Sequence, residues 1–172
     1  LGLAFAPCGV GRPAEDFLAA WRAFMGPKMR TACSVLSSPV LYGAPAIAPV
    51  ASVGCLEASY ATGLGYADGA VGESSSSRAS ALVHGAAEAT LTALKRLQGH
   101  PPRLVLVIES VTRHAALGHA APDEWAAIRS EVGERTPCVG WLCDGIAAYG
   151  RGVRPVDAED SLVVVAIGES LR

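Results

Sequence analysis

Two short polar clusters carry the chemistry available to this sequence. Glu109, Ser110, Thr112 and Arg113 follow the continuously apolar run Leu104 to Ile108, and Cys143, Asp144 and Gly145 follow a second apolar run, Thr136 to Leu142. Side chains just beyond the ends of parallel strands converge on one edge of the sheet, where α/β folds place their small-molecule pockets. Brought together, the clusters can hold a zwitterion. Arg113 offers a planar fork that pairs with a carboxylate through two bonds, while Glu109 or Asp144 accepts hydrogen bonds from an ammonium group. The same residues allow a plainer arrangement, in which Arg113 and the acids pair with one another or with water.

Covalent chemistry has weaker grounds. Cys143 beside Asp144, or Ser110 beside Glu109 and His114, supplies a nucleophile and a base. Neighbours on an extended strand point to opposite faces, however, so Glu109 and Ser110 share one site only if the strand has already turned. The sequence holds no nucleophile elbow, zinc-ligand helix or phosphate loop. The reading is therefore a binding site with no catalytic residue. Among the histidines, His84 falls on a helix and His100 in a proline loop, which leaves His114 and His119, flanking the candidate pocket, as imidazole donors should the ligand be a haem.

These clusters need a strand-helix-strand crossover to position them. Leu104 to Ile108 is apolar and branched throughout, as in a strand buried on both faces. A helix opens at Pro122-Asp123-Glu124 and is expected to bury Trp125, Ile128 and Val132 before the second strand returns. If the two strands are parallel neighbours, their C-terminal ends lie on the same sheet edge.

Upstream, Leu1 to Ala6 reads as a strand ended by Pro7. A helix follows from Pro13 and carries Phe17, Trp21, Phe24 and Met25 as a core stripe until Gly26-Pro27 stops it. Pro39, Pro45 and Pro49 keep any strand between Thr31 and Pro49 short or at a sheet edge. Val50 to Tyr60 is a further strand, and Gly63, Gly65 and Asp68-Gly69 read as turns. The serine run Ser74 to Ser77 is expected to be a solvated loop or an edge strand. Ser80 would cap a long helix with Val83, Ala87, Thr90, Leu91, Leu94 and Leu97 on one face and Gly99 beyond its end. Leu162 to Ile167 closes the chain as a strand, either central or at an edge. The fold class is α/β, bordering on α+β: a mixed β-sheet with about three packed helices and one crossover over residues 104–142.

The 172 residues suit a single domain with a sizeable core. With 14 basic and 16 acidic residues, a net charge of −2 and no block of like charge, the chain lacks the footprint of a nucleic-acid binder. Although 51% of residues are hydrophobic, much of this is alanine, and no apolar run is long enough for membrane insertion. The five cysteines have neither zinc-site nor redox spacing and suit reduced thiols in a cytoplasmic protein. The start at Leu1-Gly2-Leu3 shows no signal peptide and reads as a domain cut from a longer protein.

Over most of its length the chain resembles the C-terminal domain of the FIST family, the F-box and intracellular signal transduction proteins. Gly11-Arg12-Pro13-Ala14 leading to Phe24-Met25-Gly26 is similar to that family's opening helix. Tyr66-Ala67-Asp68-Gly69-Ala70 takes the place of a proline-glutamate-glycine turn. Leu106-Val107-Ile108 through Arg113, with Leu117-Gly118 beyond, resembles the segment that ends in the family arginine. Gly140-Trp141-Leu142-Cys143-Asp144-Gly145 resembles a glycine-bounded aromatic strand, and Ser161 to Glu169 the closing strand. Ser110 stands where a cysteine is usual, Ile146 where a glutamate is, and Ala158-Glu159 where a His-Asn pair is. The resemblance implies a sensory module that works with an N-terminal FIST domain, absent from this chain, or with a downstream signalling domain. It also implies small ligands such as amino acids, or haem in some bacterial members. No F-box segment is present.

Overall fold

The computed structural model describes residues 2–7, 23, 31–36, 40–41, 44–45, 52–55, 60–67, 69, 74–143, 145–149 and 160–170. The helix expected over Pro13 to Met25 and the site residue Asp144 lie outside these, as do the side chains of the first five strands. In chain order the elements are β1 (Gly2–Pro7), β2 (Thr31–Leu36), β3 (Val40–Leu41), β4 (Ala44–Pro45), β5 (Ser52–Cys55) and β6 (Tyr60–Ala67). Then come α1 (Ser75–Lys95), β7 (Pro102–Ser110), α2 (Val111–Leu117), a 3-10 turn (Gly118–Ala120) and α3 (Ala121–Val132). The chain closes with β8 (Cys138–Cys143), β9 (Gly145–Tyr149) and β10 (Leu162–Ser170).

The strands form two mixed four-stranded sheets, ordered β5-β1-β2-β9 and β6-β10-β7-β8, with β3 and β4 as a separate pair. In the second sheet β10 runs antiparallel to both β6 and β7, while β7 and β8 are parallel. The fold is α/β, a mixed sheet packed with helices. β10 lies centrally, and its unbroken apolar sequence follows from burial on both faces. Leu162, Val164 and Ala166 alternate toward the helices and join Ala86, Ala89, Ala93, Val105, Val107 and Ile128. Val163, Val165 and Ile167 face the other way, into a second layer with Leu64, Ile108, Cys143 and Ile146 of β9. That second layer links the two sheets.

The glycines of β6 correct the sequence reading. Gly63 and Gly65 are strand residues rather than turns, and they leave room for α1. A Cβ on Gly63 would overlap the carbonyl oxygen of Ala93, and one on Gly65 that of Ala89. Helix backbone lies directly on strand backbone, a separation only glycine permits. The same closeness sets the phase of α1. Its buried stripe is Ala79, Leu82, Ala86, Ala89, Thr90 and Ala93, with Leu97 beyond the helix end. Of the expected face only Thr90 and Leu97 are buried, because the larger Val83, Leu91 and Leu94 are displaced to the flanks.

The serine run is the start of α1, not a loop. Ser74 accepts a hydrogen bond from the Ser77 amide at 3.2 Å, and the Ser77 hydroxyl accepts one from the Ser74 amide at 3.1 Å. This reciprocal cap satisfies two otherwise orphaned donors and is worth about 1 kcal/mol, so the helix begins well before Ser80. β6 ends at Ala67 and pairs with β10, and Asp68 of the expected Asp68-Gly69 turn lies outside the described residues. No helix among the described residues is long and apolar enough to cross a membrane.

Candidate functional site

β7 and β8 are parallel neighbours, and their register sets Glu109 opposite Leu142 and Ser110 opposite Cys143. The two strand ends therefore lie side by side, but alternation divides the polar residues between faces. Glu109 faces the helices. Cys143 is buried in the layer shared with β9, its thiol 3.5 Å from the Glu109 carbonyl oxygen. Gly145 opens β9 in the other sheet.

Ser110, Thr112 and Arg113 form an internal clasp. Ser110 ends β7 and caps α2, accepting from the Arg113 amide at 3.2 Å, and its hydroxyl lies 3.1 Å from that of Thr112. The Thr112 hydroxyl accepts from the Asp160 amide at 3.0 Å, while the Ser110 amide donates to the Ser161 carbonyl at 3.0 Å. Arg113 is 0% exposed and turns inward. Its Nε donates to Glu124 at 2.9 Å, and its Nη2 lies 2.8 Å from the same carboxylate oxygen. Nη1 donates to the Asp160 carbonyl at 2.9 Å and Nη2 to the Leu82 carbonyl at 2.6 Å. One guanidinium thus ties the crossover to α1 and to the turn before β10. Asp160, in the left-handed region at φ 62°, is further held by an ion pair from its carboxylate to Arg78.

The clasp also sets the rotation of α3. Burying Glu124 beneath Arg113 turns Trp125 outward to 40% exposure, where the sequence suggests a core position, while Ile128 and Val132 pack as expected. The outward Trp125 helps wall a groove of about 780 Å³ between α3 and β8. Val107, Ile128, Gly140 and Leu142 line its floor and sides, and Gly118, Ala121 and Pro122 its rim. Gly140 matters sterically. A Cβ there would sit 3.3 Å from the Trp125 ring, so glycine lets the indole approach the strand.

One end of this largely apolar groove is polar. Glu109, His114 and Glu124 line it, with His114 Nδ1 3.3 Å from Glu109 Oε1. Desolvation raises the pKa of Glu109 above its ordinary value of 4.5, and the nearby Glu124 adds to the rise, while His114 and Arg113 oppose it. Desolvation likewise raises Glu124 against the pull of Arg113. An acid whose folded pKa is raised costs stability when ionised. The cost is absent below 4.5, grows as pH climbs toward the folded value, and is constant above it. Glu109→Gln should accordingly raise Tm at pH 7, and the gain should vanish near pH 4; an equal Tm difference at both pH values would contradict this.

The groove contains little nucleophilic chemistry. Ser110 caps a helix, and Cys143 lies on the other face of the strand. Cys138 does line the groove, but burial raises its thiol pKa despite Arg129, and an un-ionised thiol is a poor nucleophile. Of the histidines named as haem donors, His114 reaches the groove; His119 is exposed on the 3-10 turn and does not line it. The lining does not suit a haem. Its two propionates need cationic partners, and no lysine or arginine lines the groove among the described residues.

Sequence reasoning thus found Glu109 and His114, but not Glu124, Trp125 or Gly140 as groove residues. The signal that Gly140 lies opposite an aromatic on the crossover helix becomes legible only with the register known. No protein-family profile and no curated protein matches this chain.

Proposed function

We propose that this chain is a non-catalytic, small-molecule-binding sensory domain of a cytoplasmic signalling protein, working with an N-terminal FIST domain or a downstream output domain. The groove between α3 and β8 carries this reading. It combines a volume of about 780 Å³, an exposed tryptophan and one polar end, the usual make-up of a small-ligand site. The resemblance in sequence motifs supports the sensory role. Catalysis is disfavoured because no activated nucleophile shares the groove with the Glu109-His114 pair among the described residues.

The test is a thermal-shift and tryptophan-fluorescence screen with a chemically broad library of small metabolites, together with a native mass spectrum of freshly purified protein. At least one compound should raise Tm by about 2 °C or more at saturation. Trp125→Ala should abolish the effect while leaving the circular dichroism spectrum intact. A library in which no compound shifts Tm, or a binder indifferent to Trp125, would overturn the assignment.

A further inference from the structure

We infer that the groove takes an organic cation, an amine on an aromatic or branched apolar body without a carboxylate, its ammonium beside Glu109 and its body against Trp125. This rests on the groove being the ligand site. Of the charged residues at its polar end, Glu124 is already matched by Arg113. Among the described residues Glu109 has only the half-exposed His114 as a close partner on its carboxylate, through one oxygen at 3.3 Å. Burial raises the Glu109 pKa and the neighbouring Glu124 carboxylate adds to the rise, so this end of the groove favours a positive charge. An ammonium supplies it.

The apolar part of the guest has its own partner. The Trp125 indole leans over Gly140 and is open on 40% of its surface, offering an aromatic face both to an apolar body and to the rim of a cation.

A carboxylate on the same guest has no such place. Arg113, the receptor suggested by the sequence, is fully buried and bonded to Glu124, Leu82 and Asp160. Arg129 donates to the carbonyls of Thr136 and Glu134 and lies near Cys138. Cys138 is four strand residues from Leu142, the partner of Glu109, a distance of about 13 Å. That is too far to hold the second end of one α-amino acid. An acid group close to the ammonium would instead face Glu109 and Glu124, where like charges repel.

Calorimetry of the wild-type chain with phenethylamine, phenylalanine and 3-phenylpropionate tests this, using ligands that share one ring and differ in charge. Phenethylamine should bind at least tenfold more tightly than either of the others. Glu109→Gln should lose at least tenfold of that affinity while melting no lower than wild type, and Trp125→Ala should lose a similar amount. Equal or tighter binding of phenylalanine or 3-phenylpropionate would overturn the inference, as would unchanged phenethylamine affinity in the Glu109→Gln variant. If a neutral or acidic library compound binds in a Trp125-dependent way and phenethylamine does not, the cation preference fails and the ligand groove stands. If neither phenethylamine nor any library compound binds, both fail.

Discussion

Arg113→Ala is expected to lower stability by about 3–5 kcal/mol, since breaking a buried ion pair leaves its partner charge uncompensated. The substitution strands Glu124, 3% exposed, and takes the donors from the carbonyls of Leu82 and Asp160. For a chain of this size each kcal/mol is worth about 2–4 °C, so Tm should fall by roughly 6–20 °C. Pairing Arg113→Met with Glu124→Leu should recover much of the loss, because an apolar pair can replace a buried ionic one. Recovery should be incomplete, as the Asp160 carbonyl still lacks its guanidinium donor, whereas the Leu82 carbonyl keeps its helix bond, and a buried orphan costs about 1–3 kcal/mol. Melting curves of the two single variants and the double variant measure the coupling. An Arg113→Ala protein melting within about 2 °C of wild type would show that the guanidinium is not a structural clasp.

Gly65→Ala should be comparably damaging although it adds a single methyl group. Overpacking a core costs about 1–3 kcal/mol where side chains can shift aside. Here the obstruction is the Ala89 carbonyl of α1, which can move only if the helix lifts off the sheet. A loss of about 3 kcal/mol or more is expected, with Gly63→Ala behaving alike against Ala93. Gly85→Ala is the control. Its Cβ would meet the Ala67 methyl at 3.5 Å, ordinary contact, and alanine is favoured over glycine within a helix by up to about 1 kcal/mol. Wild-type melting of Gly65→Ala would refute the direct backbone contact inferred between β6 and α1.

The sequence made the sheet more legible than the way the helices sit on it. Leu104 to Ile108 and Leu162 to Ile167 are apolar and branched without interruption, and both proved to be buried strands of one sheet. The parallel pairing of β7 and β8 likewise follows from the crossover pattern. Helix phase was harder, because in an alanine-rich helix the buried side is set by how closely it can approach a neighbour, and Gly63 and Gly65 set it here. Ser110 and Ser74 look like ligand or loop residues in isolation, yet each caps a helix, and a cap is recognisable only when the helix start is known. Glu124 was hidden for a related reason. An acid in the first turn of a helix ordinarily faces solvent and the helix dipole, and only its approach to Arg113, eleven residues upstream, draws it inside.

Glu124 belongs to two structures at once, helping to line the groove while anchoring Arg113. Linkage then requires reciprocity: whatever a guest takes from that carboxylate weakens the hold on the turn before the central strand, and whatever tightens that hold is withdrawn from the guest.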